Sequence, residues 1–141
     1  MIVIDTNVLS ALMRESPDRA VVDWLDRQAA ESIWITSITL FEARLGLALL
    51  AKGKRRQFLE AAFERLVIED LEGRVLDFDR PAAEAAARLA ASRQRAGQTI
   101  DMRDTQIAGI VIARRARLAT RNVRHFPDLD VDVINPWEAR P

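Results

Sequence analysis

The sequence predicts an α/β fold of three layers, a central, mostly parallel sheet of about five strands with helices on both faces. Three observations lead there. Short apolar runs alternate with longer segments of helical period along the whole chain, as in successive strand–helix–strand units. The first run, Ile2-Val3-Ile4, is β-branched and apolar without alternation, as expected of a parallel strand covered on both faces. Polar residues stand at the run tips, Asp5, Thr36-Ser37 and Arg121-Asn122, where open α/β sheets bind ligands.

Each element has its own signal. After Asp5, Thr6 and Asn7 can cap a short helix carrying Val8, Leu9 and Leu12, which ends near Arg14-Glu15-Ser16-Pro17. Ser16 as cap and Pro17 at the first helical position open a second helix with Val21, Val22, Leu25 and Ala29 on one face. Ile33–Thr36 is the second strand, and Thr36-Ser37 caps a helix over about 38–50 with Phe41, Leu45 and Leu49 on its apolar face. Gly53 interrupts, and Phe58, Ala62, Phe63 and Leu66 mark another helix. Arg74–Phe78 is a third strand, and Asp79-Arg80-Pro81 starts an alanine-rich helix that Gly97 terminates. A helix from about Asp101 turns Ile107, Ile110 and Val111 inward. Arg117–Thr120 and Val131–Ile134 complete the strands, and Asn135-Pro136-Trp137 closes the chain.

At 141 residues the chain suits one domain with a core that needs no covalent staple. It has no cysteine, which excludes disulfides, thiolate metal sites and a cysteine nucleophile. No basic segment followed by a signal-like apolar stretch opens the chain, and no apolar run approaches the ~18 residues of a membrane span. The expectation is a soluble, cytoplasmic protein with no membrane partner. Twenty-one basic residues balance 21 acidic ones, so no overall field recruits nucleic acid. The distribution is uneven, however. Arg114, Arg115, Arg117, Arg121 and Arg124 fall in a stretch without an acid, and Lys52, Lys54, Arg55 and Arg56 form a second cluster.

Asp5 ends the first strand, Glu42 lies in the helix after the second, Asp101 and Asp104 open the penultimate helix, and Asn122 follows the fourth strand. If strands one, two and four are neighbours, these groups share a cleft. Crowded carboxylates must be protonated or neutralised by a cation, and oxygen ligands without histidine or cysteine select Mg²⁺ or Mn²⁺ over zinc. Such an ion polarises a phosphoryl oxygen and activates water, which suits hydrolysis of nucleic acid. Other readings stand beside these. Asp101 can cap its helix with Asp104 as third residue, and Thr39 with Glu42 can form a capping box. Asp5 can accept turn N–H bonds, and Asn122 can be a plain turn residue. His125, the sole histidine, reads as solvated or phosphate-binding rather than as a proton donor.

The combination Ile-Val-Ile-Asp5-Thr6-Asn7, Thr36 to Glu42 with Arg44-Leu45-Gly46, Asp101-Met102-Arg103-Asp104 before Ile107-Ala108, Ala119 to Phe126, and Val133 to Trp137 resembles the PIN-domain ribonucleases. More narrowly it resembles the VapC toxins of type II toxin–antitoxin modules, including the FitB-like branch. The resemblance implies a single PIN domain over residues 1–141 and a Mg²⁺-dependent endoribonuclease, with Mn²⁺ able to substitute, that cuts RNA and arrests translation. It puts the family's acids on Asp5, Glu42 and Asp104 as metal ligands and catalytic groups. A fourth, more variable acidic position falls on Asn122, a departure that removes one charge. The resemblance also implies a homodimer and a cognate VapB-like antitoxin whose tail covers the site. Promoter DNA would be reached only through the antitoxin, since this chain shows no DNA-reading motif. The arginines from Arg114 to Arg124 would grip an RNA backbone beside the cleft, with a solvated helix face an equal reading for Arg114, Arg115 and Arg117.

Two rivals differ in class. A haloacid-dehalogenase-type phosphatase also starts from a strand-tip aspartate, but it needs a second aspartate where Asn7 stands and a later lysine that is missing. A degenerate PIN domain could keep partner binding and lose catalysis through Asn122; turnover with added metal separates it from the active nuclease.

Overall fold

The computed structural model describes residues 1–139. Five strands, β1 (Ile2–Ile4), β2 (Ile33–Thr36), β3 (Val75–Leu76), β4 (Arg117–Ala119) and β5 (Val133–Ile134), form one sheet in the order β3-β2-β1-β4-β5. Every pair is parallel. The chain steps outward from β1 to β2 and β3, then crosses back to β4 and β5. The strand order therefore reverses at β1, and a crevice opens beyond its carboxyl end. Asp5 is the next residue.

Six helices cover the sheet: α1 (Thr6–Met13), α2 (Arg19–Asp26), α3 (Ser37–Leu49), α4 (Lys54–Arg65), α5 (Arg80–Arg95) and α6 (Met102–Arg114). Ile2 and Ile4 join one core with Val8, Leu9, Val21, Trp24 and Phe63, whereas Val3 joins the other with Ile107, Ile110, Leu118 and Phe126. Successive side chains of a strand face opposite ways, so a strand buried on both sides has no polar position. On the second face, α5 and α6 pack closely because residue 109 is glycine. A Cβ there would lie 2.5 Å from the Ala82 carbonyl oxygen and 2.6 Å from the Ala86 Cβ.

Several boundaries differ from the sequence expectation, each for a local reason. The cap of α1 is Asp5 rather than Thr6 or Asn7: its carboxylate accepts from the Thr6 N–H. Asp18, not Ser16, caps α2 by accepting from the Ala20 N–H, which leaves Pro17 outside the helix and Ala29 beyond its end. β3 and β5 are two residues each. The apolar face assigned to α3 is on the wrong side, for Phe41 and Leu49 are exposed while Thr39 and Leu47 are buried. That helix is apolar almost all round, so period alone does not fix its phase. Phe58 of α4 is exposed too.

The basic run also divides. Arg114, Arg115 and Arg117 lie at the end of α6 and the start of β4, at the sheet edge opposite Asp5, where Arg114 pairs with Asp79 and Arg117 with Asp132. Only Arg121 and Arg124 follow β4 on the Asp5 side. No helix among the described residues is long and apolar enough to cross a membrane.

Candidate active site

Asp5 is 3% exposed, held by its own backbone at the tip of the central strand. Its N–H donates to the Ala119 carbonyl at 2.9 Å, which extends the β1–β4 pairing one residue past the strand. One carboxylate oxygen accepts from the Thr6 N–H at 2.7 Å. The other accepts from the Thr120 hydroxyl at 2.8 Å and from the Asn7 amide at 3.3 Å. Despite these bonds, burial pushes the carboxyl up to about 6, and the charges of Asp104 and Glu42 push the same way, while the Thr120 hydroxyl and the Thr6 N–H pull it down. Burial thus opposes the charged carboxylate by more than the protein's own donors offset.

Glu42 reaches the crevice from the second turn of α3. A relay of hydroxyls orients it: Thr36 donates to Thr39 at 3.3 Å, Thr39 meets Thr6 at 3.1 Å, and Thr6 donates to Glu42 at 2.9 Å. The cap of α3 is Thr36, whose hydroxyl accepts from the Thr39 N–H. The capping-box reading of Thr39 with Glu42 therefore fails, because Glu42 turns to another helix. Its second oxygen lies 3.7 Å from the Arg103 guanidinium, which itself sits over the Phe41 ring.

Asp101 caps α6 by accepting from the Asp104 N–H at 3.0 Å. That frees Asp104, one turn in, to face the crevice. Its carboxylate meets His125 Nδ1 at 3.2 Å. Burial raises its pKa and Asp101 adds to the rise, against the pull of His125 and Arg93. Asn122 follows β4, is exposed, and donates its backbone N–H to the Thr120 hydroxyl at 3.1 Å. Its side chain makes no hydrogen bond among the described residues. The topology brings Asp5, Glu42 and Asp104 to one sheet edge with Asn122 at the rim, and leaves Asp101 as a cap.

Sequence reasoning passed over four contributors. Thr6 and Thr120 were legible as the hydroxyls next to the strand tips. Arg93 and Asp128 carried no such signal. Arg93, buried in α5, makes two 2.9 Å bonds to Asp128 and donates to the Thr105 hydroxyl and the His125 carbonyl. Thr105 in turn donates to the Asp101 carbonyl at 2.7 Å. One guanidinium thereby ties the start of α6, which carries Asp104, to the 123–128 loop, which carries His125.

The donor chemistry fits a hard divalent cation. Three carboxylates, hydroxyls and an amide face the crevice with no thiolate, and oxygen donors of this kind suit Mg²⁺ or Mn²⁺. Among the described residues no three acids or histidines already stand close enough to form a finished cage. Each acid is instead engaged by its own partner, Asp5 by Thr120, Glu42 by Thr6 and Arg103, Asp104 by His125.

A family model described as the PIN domain matches residues 2–131. Among curated relatives, the VapC ribonuclease Y4jK of Sinorhizobium fredii is 42% identical over 98% of this chain and 99% of its own. Toxin FitB of Neisseria gonorrhoeae is 37% identical over 97% and 99%. Among solved structures, that of FitAcB from Neisseria gonorrhoeae superposes with a TM-score of 0.88 at 37% identity, covering 99% of this chain and 100% of that one. A structure of FitAB bound to an IR36 DNA fragment gives 0.89 at 36% identity, covering 100% and 99%.

Proposed function

The chain belongs to the PIN-domain family of VapC and FitB toxins, and from that premise we propose that it is a Mg²⁺-dependent endoribonuclease, with Mn²⁺ able to substitute, that arrests translation by cutting RNA. The observation that carries the reading is Asp5, a buried carboxylate at the strand-order reversal, with Glu42 and Asp104 adding to its charge. Such an arrangement is unfavourable without a cation and suited to holding one.

Asp5, Glu42 and Asp104 would hold the ion, Glu42 turning from Arg103 and Asp104 from His125. When bound, the ion supplies Lewis-acid polarisation of a phosphodiester and a more acidic water. The chain's own groups do the rest. The Thr120 and Thr6 hydroxyls fix the two ends of the acid cluster, which keeps the carboxylates aimed before substrate arrives. Asn122, at the rim beside Thr120, can offer its amide to a water or a phosphate oxygen. Arg121 and Arg124 stand on the same side to meet the RNA backbone.

The partners we infer are a second copy of the chain and a VapB-like antitoxin, with promoter DNA reached only through that antitoxin. The structures of FitAB bound to an IR36 DNA fragment and of Rickettsia felis VapBC2 bound to a DNA fragment from their promoter support the antitoxin and the DNA. The exposed Phe41, Leu49, Phe58 and Met102 supply apolar surface for such contacts. Purified protein should cut RNA with Mn²⁺, stop in chelator, and lose at least about 100-fold in rate on Asp104→Asn, in line with loss of a group that acts in the transition state. Undiminished cutting by that variant would place the activity elsewhere, and binding of RNA and metal without turnover would favour the binding-only reading that Asn122 raises.

A further inference from the structure

A groove of about 300 Å³ opens between α1, α3 and α4; Thr6, Ser10, Arg14, Glu42, Gly46 and Arg55 line it beside a larger apolar share of methionine, alanine and leucine side chains. It begins at two members of the acid site, Thr6 and Glu42, and runs away from β1 toward two arginines. Both arginines are exposed, and neither has an ion pair among the described residues, whereas Arg44 of α3 and Arg56 of α4 are paired with Glu64 and Glu60.

Gly46 lines the groove. It lies inside α3, one turn after Glu42, with helical backbone, so no left-handed turn calls for glycine. Glycine in a helix interior is the least favourable residue after proline. Close packing does not call for it either, for a Cβ at Gly46 would meet nothing within 4 Å, in contrast to Gly109. The missing side chain therefore serves no contact within the chain, and it keeps the groove floor open.

We propose that this groove is the track for single-stranded RNA on the Glu42 side of the site, with Arg14 and Arg55 gripping backbone phosphates and the strand passing over Gly46. The inference rests on the ribonuclease reading above. A strand whose reacting phosphate lies at Asp5 must leave the site along some surface. This one is continuous with the acids, recessed, apolar along its floor, and cationic at Arg14 and Arg55, where a polyanion can be held. A peptide segment of a partner and a second copy of the chain are the rival occupants.

Gly46→Met tests it, because the substitution improves the helix and fills the groove. The variant should melt about 3 °C higher than wild type. It should bind Mn²⁺ unchanged by calorimetry, yet bind a fluorescent ten-nucleotide RNA at least about tenfold more weakly, read by anisotropy in Ca²⁺ to suppress cutting. Arg14→Gln with Arg55→Gln should also weaken RNA binding, and lower the magnitude of its salt slope by about 1.4, at ~0.7 per single-strand phosphate. Wild-type RNA affinity in Gly46→Met, or an unchanged slope in the double variant, overturns the track. A change in sedimentation of Gly46→Met with RNA affinity intact also overturns it, and assigns the groove to a second copy. Wild-type protein that binds neither Mn²⁺ nor RNA would instead sink the ribonuclease reading itself.

Discussion

Asp5→Asn should make the metal-free protein more stable at neutral pH. The buried carboxyl titrates at about 6 against an ordinary 3.8, and at about 1.36 kcal/mol per decade that difference corresponds to about 3 kcal/mol. The direction follows from proton binding. The folded state holds the Asp5 proton more tightly than the unfolded chain does, so the group's contribution to stability is full below 3.8. It declines as the pH rises through 3.8 to 6, and is gone above. Asparagine keeps the shape and never ionises. It does, however, set an amide NH₂ against the Asn7 amide and the Thr120 hydroxyl, a loss of about 1 kcal/mol. The net gain at pH 7.5 is about 2 kcal/mol, or about 6 °C in melting temperature. Urea titrations in chelator at pH 4 and 7.5, with m unchanged, should show the variant ahead at 7.5 and level or behind at 4. Millimolar Mn²⁺ should then raise the wild-type melting point and leave that of the variant alone. A variant no more stable than wild type at pH 7.5, or a gap of equal size at both pH values, would mean that the fold holds the Asp5 proton no more tightly than the unfolded chain does.

Gly109→Ala should destabilise by about 3 kcal/mol in urea, since a methyl group 2.5 Å from the Ala82 carbonyl oxygen must push α5 away from α6. Asp128→Asn should destabilise by about 2 kcal/mol at pH 7, because Arg93 stays buried without its counter-charge and with one of its two bonds to residue 128 lost. Arg93 holds the Asp128 carboxyl below the usual range, so the native pair's contribution is present above the ordinary carboxylate pKa. It fades as pH falls through the lowered value, and the difference between variant and wild type should shrink in acid. Arg103→Gln should tighten Mn²⁺ binding about threefold by calorimetry, since it removes a cation that stands beside Glu42.

The acids were legible from position: Asp5 ends a strand buried on both faces, and Asp104 lies one turn past a capping aspartate. The side of the sheet on which the arginines fall was not. Their run spans the end of α6 and all of β4, and three residues of strand are enough to carry the chain from one edge to the other. Arg93 and Asp128 are 35 residues apart, and nothing in an alanine-rich helix marks one arginine as buried among several exposed ones. α3 misled for the opposite reason, with apolar residues on every side. The caps moved because Ser16, Asp18, Thr6 and Asp5 are all competent acceptors, and only the path of the chain chooses between neighbours.

The bond between Asp5 and the Thr120 hydroxyl joins residues 115 positions apart. β1 must therefore wait with one edge unpaired until β4, more than a hundred residues later, has been synthesised. The crevice at Asp5 has no second wall before β4 emerges, so a partly made chain cannot assemble the acid site.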